Sequence, residues 1–476
     1  MIDTLLSVAS VFRTIGSVLL AILILLVMIT IHEFGHWIAG KILHFGINEF
    51  SIGFGPALFK KKSKKTGQLF AIRLIPLGGY CAFKGEDGLD DEEEKKDETA
   101  AEETAEETGE TVAEDASSDT VILTPAPEEE PQEEVKEEPQ EEVKEEPKEE
   151  DFFADLPMPE EGGKKKKRTP AWKEKPDDGS FTRKAPWKRI IVLVAGALMN
   201  YVLALFLIII CFFAYGQNVV RIRGVAEPTE EYLAEYSFQE GDILLKGGGR
   251  SFYLTNDIAR AINHKSAGDM VEFRVARKQA DGSYVEVTQK IMLRGDVNVK
   301  NSSDFTGVWK ALGVGVEEQE DPSSESGVSK FYMVDTLFYR FGFFETLGRS
   351  FVYSFKIAGS ILRVIGELLT GRLGISAMGG PVSTIKATSE MASLGFQYFL
   401  EISALIGVNL AVFNLLPVPA LDGSKVVFTI IEWIRGKPIS RKVEAIIHAV
   451  GFVFLLGFAI LVDILQFVYK MRRIFN

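Results

Sequence analysis

A charged motif at the end of a membrane-length apolar run constrains this chain more than any other feature. Residues 18–31 read VLLAILILLVMITI, and the helix that they predict continues through the motif HEFGH at residues 32–36. Histidines four positions apart lie on one helix face, so His32 and His36 can reach the same Zn²⁺. Glu33 lies between them, where it can take a proton from water. Ionisable side chains in a span are costly, so the motif predicts a functional site, with interfacial histidines as the alternative.

The charge of the chain is divided between a basic membrane protein and an acidic insert. The 476 residues carry a net charge of −14. Residues 86–161 hold 34 Asp or Glu against 5 Lys, a contribution of −29, so the remainder is +15. The octad EEPQEEVK recurs in this tract, and such sequence cannot bury enough apolar surface to fold. We expect a disordered spacer over residues 86–178, with an acidic partner-binding tail as the alternative.

The residues that follow the motif are typical of strands and turns. Aromatic and β-branched residues are punctuated by Gly and Pro in FSIGFGPALF and LFAIRLIPLGGYCAF. Between them, KKKSKK at residues 60–65 is a basic turn suited to an anionic membrane surface. We expect a hairpin beside the metal helix that enters the membrane where protein covers its backbone. An ordinary amphipathic surface hairpin is the alternative.

Further apolar runs predict three more membrane spans with a domain between the second and third. The excess of Lys and Arg between the first two spans places that loop in the cytoplasm, and the N-terminus outside. Residues 217–296 predict short strands and one helix in an order that resembles a PDZ domain, without a clear carboxylate-binding glycine loop. Its helix–strand groove could still accept a peptide strand. Residues 331–373 predict an amphipathic helix at the membrane.

A second polar stretch ends the third predicted span. Asn409, Asn414 and Asp422 lie among apolar residues and prolines in NLAVFNLLPVPALDG. An Asp-Gly pair after Pro is typical of a turn. A zinc site with two histidines nevertheless needs a third protein ligand, and Asp422 is the only acidic residue in a membrane-associated turn of this kind. Packing or interfacial roles are expected for three other polar residues: His44, His448 and Asp463.

Together these motifs resemble the site-2 protease family of intramembrane zinc metalloproteases. The likeness covers nearly the whole chain and is carried by HEFGH, NLLPVPALDG, GINEFSIGFGP, RLIPLGGY, FTRKAPWKR, GALMN and GGPVS. It is strongest to the RseP/RasP-type bacterial members, with four spans and an extracytoplasmic PDZ domain, although the acidic insert departs from their pattern. The resemblance implies one Zn²⁺ held by His32, His36 and Asp422, with Glu33 as catalytic base. It also implies a substrate-binding role for five residues: Asn409, Asn414, Ile72, Arg73 and Leu74. The last three belong to the segment Phe70–Phe83, which is expected to be a membrane-re-entrant strand with an open edge for the substrate.

The expected fold is a multi-pass α-helical membrane protein with four transmembrane helices, a membrane-associated β-hairpin and an inserted α+β PDZ-like domain. The spans are expected within residues 1–44, 181–216, 393–424 and 447–470. The other segments are a re-entrant hairpin at residues 45–85, an acidic insert at 86–178 and the PDZ-like domain at 217–296. They are followed by a linker with amphipathic helices at 297–392 and a cytoplasmic amphipathic segment at 425–446.

The expected function is intramembrane endopeptidase activity in a bacterial plasma membrane. The expected partners are the lipid bilayer and single-span membrane proteins that another protease has already trimmed, and no nucleic acid. Anti-sigma factors, remnant signal peptides and a divisome protein are all open as substrates. A metal transporter would need no Glu between the histidines, and a catalytically silent scaffold would not need an intact H-E-x-x-H.

Overall fold

Four long apolar helices organise the part of the chain that the computed structural model describes, residues 2–86, 178–299, 305–320, 328–374 and 378–475. Within those ranges, four helices are long and apolar enough to cross a membrane: Ile15–Ile42, Pro186–Ala214, Phe396–Asn414 and Lys442–Val468. This confirms the predicted number of membrane-length helices. Nearly all of the predicted acidic spacer lies outside the described residues.

The chain passes from a membrane part to an inserted domain and back. The first part comprises α1 (Ile2–Ile42), β1 (Ile47–Lys62), β2 (Leu69–Phe83) and α2 (Pro186–Ala214). The inserted domain, residues 217–339, comprises β3 (Gln217–Ile222), β4 (Ile243–Gly247), β5 (Arg250–Ser251), α3 (Thr255–Ile262), β6 (Met270–Lys278), β7 (Tyr284–Met292), α4 (Thr306–Ala311), β8 (Val316–Glu320), β9 (Val328–Tyr332) and β10 (Val334–Tyr339). The return comprises α5 (Phe343–Leu369), α6 (Pro381–Leu394), α7 (Phe396–Asn414), α8 (Asp422–Arg435) and α9 (Arg441–Phe475).

Glycines let three of the membrane-length helices approach one another closely. A Cβ on Gly35 of α1 would lie 2.4 Å from the carbonyl oxygen of Ala195 on α2. A Cβ on Gly407 of α7 would lie 2.9 Å from Ala204 Cβ and 3.2 Å from Met28 Sδ. In a membrane, helices associate through such close packing because lipid is as apolar as the helix faces. The helices α1, α2 and α7 therefore form the packed unit that carries the site.

The hairpin β1–β2 folds back on itself. Residues 49–52 of β1 pair with two parts of β2, residues 69–72 and residues 79–82. Both strands bend at glycines in the left-handed region, including Gly53 at φ 86° and Gly78 at φ 140°. Glycine adopts these angles without the Cβ clash that other residues meet. The bends bring the two halves of β2 to opposite sides of β1.

This folding determines which part of β2 has an open edge. Ile72 is paired with both Ile52 and Phe59, so its backbone lies inside the sheet. Residues 79–83 are paired on one side only, within the described part of the chain. Of the predicted substrate edge Phe70–Phe83, residues 79–83 are therefore open on one side, whereas Ile72 is not, because the glycine bends return β1 onto that part of the strand.

Arg73, another residue assigned to substrate, is engaged within the hairpin itself. Its guanidinium donates to Glu49 Oε1 at 2.6 Å, to Ser51 Oγ at 2.9 Å and to the Gly55 carbonyl oxygen at 2.8 Å. It also donates to Tyr80 Oη at 2.8 Å. Burial and hydrogen bonding of this kind hold the two halves of the hairpin together.

The inserted domain is larger than its predicted span. Its main sheet has the strand order β10-β3-β4-β6-β7, with β5 paired to β4. Val308 and Leu312 enter the same core as Phe273, although both follow the predicted boundary at residue 296. An amphipathic helix was predicted over residues 331–373. The helix α5 covers Phe343–Leu369, whereas the first residues of that range lie in the strands β9 and β10, because their aromatic and β-branched side chains suit a sheet. All six residues of β3 pair with β10, whereas β4 pairs with β3 only at Arg221 and Ile243.

Polar contacts fasten the inserted domain to the helices that follow it. Three of them join side chains across this boundary: Asn218 Nδ2 to Glu401 Oε2 at 3.1 Å, Lys356 Nζ to Asp257 Oδ1 at 2.7 Å, and Arg349 Nε to Gln217 Oε1 at 2.7 Å. The Arg349 guanidinium also lies 3.9 Å from the centre of the Phe341 ring. These contacts fix the domain against α5 and α7.

Candidate metal centre

Three side chains converge on one point from two helices that are far apart in the sequence. His32 Nε2 on α1 lies 2.9 Å from Asp422 Oδ2, the first residue of α8, and His36 Nε2 lies 3.2 Å from the same oxygen. The two Nε2 atoms are 3.2 Å apart. Zinc–ligand bonds of about 2.0–2.2 Å separate the ligands of a tetrahedral site by roughly 3.3–3.6 Å, close to these spacings. Among the described residues, this is the one cluster of His, Cys, Asp or Glu arranged to hold a metal ion.

The surroundings of Asp422 favour the ionised form of its carboxyl group. Burial alone would raise the pKa of its carboxyl group, but hydrogen bonds with His32 and His36 outweigh burial and hold that pKa below its usual range. An ionised carboxylate is the form that binds a cation.

The environment of His36 fixes which ring nitrogen faces the cluster. His36 Nδ1 lies 2.8 Å from the carbonyl oxygen of Val192 on α2. A carbonyl only accepts, so Nδ1 carries the proton and donates it. With a metal ion bound the ring would be neutral, and its lone pair would then be on Nε2, the atom that faces Asp422 and His32. Such a bond to the far nitrogen is the usual support of a metal-binding histidine.

Two asparagines surround the far nitrogen of His32. Asn200 Nδ2 on α2 and Asn414 Nδ2 on α7 each lie 3.4 Å from His32 Nδ1. Asn200 is buried, and its Oδ1 has no hydrogen-bond partner among the described residues. A metal on Nε2 would leave the proton on His32 Nδ1, which then needs an acceptor. If the Asn200 amide is rotated by half a turn, its Oδ1 can accept from that proton, so the oxygen without a partner fits a metal-bound His32.

A glycine on α2 makes room for both histidine rings. A Cβ on Gly196 would lie 2.3 Å from His36 Nε2 and 2.9 Å from His32 Cε1. Both distances are below those that real Cβ atoms show. Gly196 therefore forms a cradle in which the two imidazoles lie against the α2 backbone.

Tight packing at the start of α8 holds Asp422 at the cluster. A Cβ on Gly423 would lie 2.2 Å from the carbonyl oxygen of Leu416, so the turn after α7 folds directly onto α8. Farther along α8, Glu432 pairs with Arg189 of α2 at 2.9 Å, and both side chains are buried. The helix that begins with Asp422 is thus attached to the turn before it and to α2.

Glu33 lies beside the ligand cluster and next to the hairpin. A Cβ on Gly79 of β2 would lie 3.3 Å from Glu33 Cγ. Gly79 begins the strand of residues 79–83 that is paired on one side only. An ionisable group, a cluster fit for a metal and a strand edge are therefore neighbours.

The structure brings together most of the residues predicted for the site, while their roles remain predictions. His32, His36, Asp422 and Asn414 meet, whereas no hydrogen bond in the described part of the chain links Asn409 to them. Sequence reasoning missed Gly196 and the carbonyl of Val192. The segment GALMN carries the only signal for them, since it places small residues one turn before the buried Asn200.

Comparison with known proteins places the chain in a family. The family model for peptidase family M50 matches residues 20–458. The chain belongs to peptidase family M50. The chain is similar to two proteins named zinc metalloprotease RasP. The one from Oceanobacillus iheyensis is 26% identical over 447 residues, and the one from Bacillus licheniformis is 27% identical over 460 residues. The alignments cover 92% and 93% of this chain and 95% and 96% of the relatives. This M50 protein is therefore a zinc metalloprotease of the site-2 type, an intramembrane protease of a bacterial membrane, as predicted.

Proposed function

We propose that this protease cleaves the membrane spans of single-span proteins already shortened by another protease. His32, His36 and Asp422 hold its zinc ion, and Glu33 is its catalytic base. The observation that carries this assignment is the convergence of His32 Nε2, His36 Nε2 and Asp422 Oδ2 within 3.2 Å of one another. Three protein ligands leave one position of a tetrahedral metal open for chemistry.

The reaction follows from the positions of these side chains. Bound zinc acidifies water and polarises a carbonyl group. Glu33 accepts the proton of the attacking water and returns it to the leaving amine. Asn200 and the Val192 carbonyl keep His32 and His36 in the orientation that the ligand set requires. Asn414 presents an amide next to His32, where it can donate to the backbone of a substrate.

The strand edge at residues 79–83 is suited to hold a substrate during cleavage. A membrane-spanning helix hides its carbonyls in hydrogen bonds to the residue four positions later, so it must unwind before it can be cut. An unwound segment can pair with an open strand edge through main-chain bonds. The edge beside Glu33 is open on one side, which supports this part of β2, rather than Ile72, Arg73 and Leu74, as the substrate strand.

The arrangement along α2 supports a site near the cytoplasmic face and an inserted domain outside. The basic hairpin packs near the start of α2, where Phe181 contacts Phe83 with ring centroids 5.6 Å apart. The inserted domain begins at Gln217, directly after the end of α2. A helix of 29 residues spans about 43 Å, the thickness of a bilayer. In this arrangement the PDZ-like domain acts as a size filter for trimmed substrates.

Asp422→Ala tests the ligand assignment. We expect it to abolish cleavage of single-span substrates and to lower zinc content well below one ion per chain, because two histidines remain. Zinc is measured by atomic absorption, and cleavage in detergent with and without a chelator. Glu390→Ala, at an exposed acidic residue of α6, is the control and should cleave normally. Full activity and normal zinc content in Asp422→Ala would remove Asp422 from the site.

Proline substitutions test the substrate strand. Cys81 and Ala82 are neighbours in the 79–83 edge, so their backbone N–H groups point to opposite sides of the strand. Of Cys81→Pro and Ala82→Pro, one variant therefore loses an N–H on the open side, and the other loses a hydrogen bond to β1. The variant that loses the open-side N–H should lower kcat/KM by roughly tenfold while zinc stays bound, since it removes main-chain bonds to substrate. The other should lower the Tm by weakening the hairpin.

Matched substitutions separate main-chain from side-chain effects. Cys81→Ala and Ala82→Ser keep the backbone N–H groups and should cleave nearly as well as the parent protein. Unchanged kcat/KM in both proline variants would exclude this edge as the substrate strand.

A further inference from the structure

The turn that leads into Asp422 contains a strained residue. Ala420 has φ 74°, in the left-handed region that side chains with a Cβ rarely adopt. It lies two positions before Asp422, in the segment that joins α7 to α8. A conformation of this kind persists only where neighbouring structure holds it. A group that holds Ala420 therefore also acts on the turn that leads into Asp422.

His448 of the last membrane-length helix contacts this turn through its backbone. The N–H of Ala420 donates to His448 Nδ1 at 3.1 Å. Because Nδ1 accepts, the neutral ring carries its proton on Nε2. That atom is buried and has no hydrogen-bond partner among the described residues, and Glu444 Oε1 lies 4.0 Å away. The ring also packs edge-on against Phe428 of α8, with centroids 5.7 Å apart.

A second contact from the same helix face adjoins the first. A Cβ on Gly451 would lie 2.3 Å from Pro419 Cβ and 2.9 Å from the Pro419 carbonyl carbon. Residues three apart on a helix are surface neighbours, so His448 and Gly451 face the turn together. The helix α9 thus approaches Pro419 and Ala420 closely and supplies one hydrogen bond to the strained residue.

We propose that His448 is a positioning residue for the metal centre, which acts by holding Ala420 in its left-handed conformation. The held turn places Asp422 Oδ2 against His32 Nε2 and His36 Nε2, and Gly451 allows α9 to come close enough. The inference rests on the proposed function in taking Asp422 as a zinc ligand. A histidine that only filled space would tolerate any replacement of similar volume. A histidine that acts through Nδ1 requires an acceptor at that one atom.

The test compares substitutions at His448 that differ in where they place an acceptor. Zinc affinity is measured by competition with a chromophoric chelator, and kcat and KM with a single-span substrate in detergent. Supporting groups around a metal ligand typically change affinity by 10–100-fold, so His448→Ala should weaken zinc binding by about tenfold or more and lower kcat. KM should change little. His448→Asn, whose Oδ1 can take the place of Nδ1, should retain most of the affinity, whereas His448→Gln should behave like the Ala variant.

Glycine at position 420 provides a rescue that a space-filling role would not. Glycine adopts φ near +74° without strain, so His448→Ala combined with Ala420→Gly should recover most of the zinc affinity that His448→Ala loses. Val450→Ala, on an exposed part of the same helix, is the control and should bind zinc like the parent protein.

Three results would overturn the inference: parental zinc affinity in His448→Ala, equal affinity in the Asn and Gln variants, or no recovery with Ala420→Gly. Asp422→Ala separates these from failure of the proposed function. If Asp422→Ala keeps its zinc, the ligand assignment itself is wrong. If Asp422→Ala loses zinc while His448→Ala binds it normally, only the role of His448 is wrong.

Discussion

Glu33→Gln is expected to lower kcat by roughly 10²–10⁴-fold, the usual contribution of a general base, while one zinc ion stays bound per chain. The amide has nearly the shape of the carboxylate but cannot accept a proton from water. Zinc should remain because Glu33 lies outside the cluster formed by His32, His36 and Asp422. Single-turnover cleavage and atomic absorption on the same preparation measure the two quantities.

The control for this substitution is Glu390→Gln, which makes the same chemical change at an exposed position of α6. It should leave kcat and zinc content at the parental values. Loss of zinc from Glu33→Gln would instead identify Glu33 as a ligand. Parental kcat in Glu33→Gln would require a different base.

Gly196→Ala is expected to weaken zinc binding and to lower kcat by roughly 100-fold, since displacing a reacting group by about 1 Å can have that effect. The added Cβ would lie 2.3 Å from His36 Nε2, so the ring must leave the position in which its Nδ1 donates to Val192. Gly196→Val should lower zinc affinity and kcat further, because its larger side chain reaches both imidazoles. Chelator competition and kcat measure the two effects.

Gly457→Ala is the matched control, because Gly457 also lies in a membrane-length helix and a Cβ there meets nothing within 4 Å. It should bind zinc normally. Parental zinc affinity in Gly196→Ala would mean that α1 can move away from α2 without disturbing the centre.

The convergence of His32, His36 and Asp422 was predictable from the sequence for two different reasons. His32 and His36 share a helix face by spacing alone, and an acidic residue in a membrane-associated turn is unusual enough to single out Asp422. The four membrane-length helices were predictable from the length of the apolar runs. Gly196 was not, since a glycine in a span is common and only its distance to the histidines reveals a role.

The hairpin and the inserted domain show what sequence patterns leave open. Alternating residues predict strands, but not that Gly53 and Gly78 would fold β1 and β2 back until Ile72 lay inside the sheet. Sequence patterns also do not show which strands pair when the strands are far apart in the chain. Val334 pairs with Ile222 across more than a hundred residues, so no local pattern marks it as part of the domain. His448 was expected to have a packing or interfacial role. Its contact with the backbone of Ala420 was not predicted, because the two residues are 28 positions apart and no local pattern links them.

The contact between His32 and Asp422 joins residues 390 positions apart. During synthesis, the histidines and Glu33 enter the membrane long before the ribosome reaches the codon for Asp422. A growing chain therefore has two of the three side chains of the cluster, and it has the third only when almost all of the protein has been made. A chain cut short by stalled translation or by proteolysis before Asp422 lacks the complete centre. If Asp422 is the third zinc ligand, as proposed above, peptidase activity is withheld from unfinished molecules by the order in which the sequence is translated.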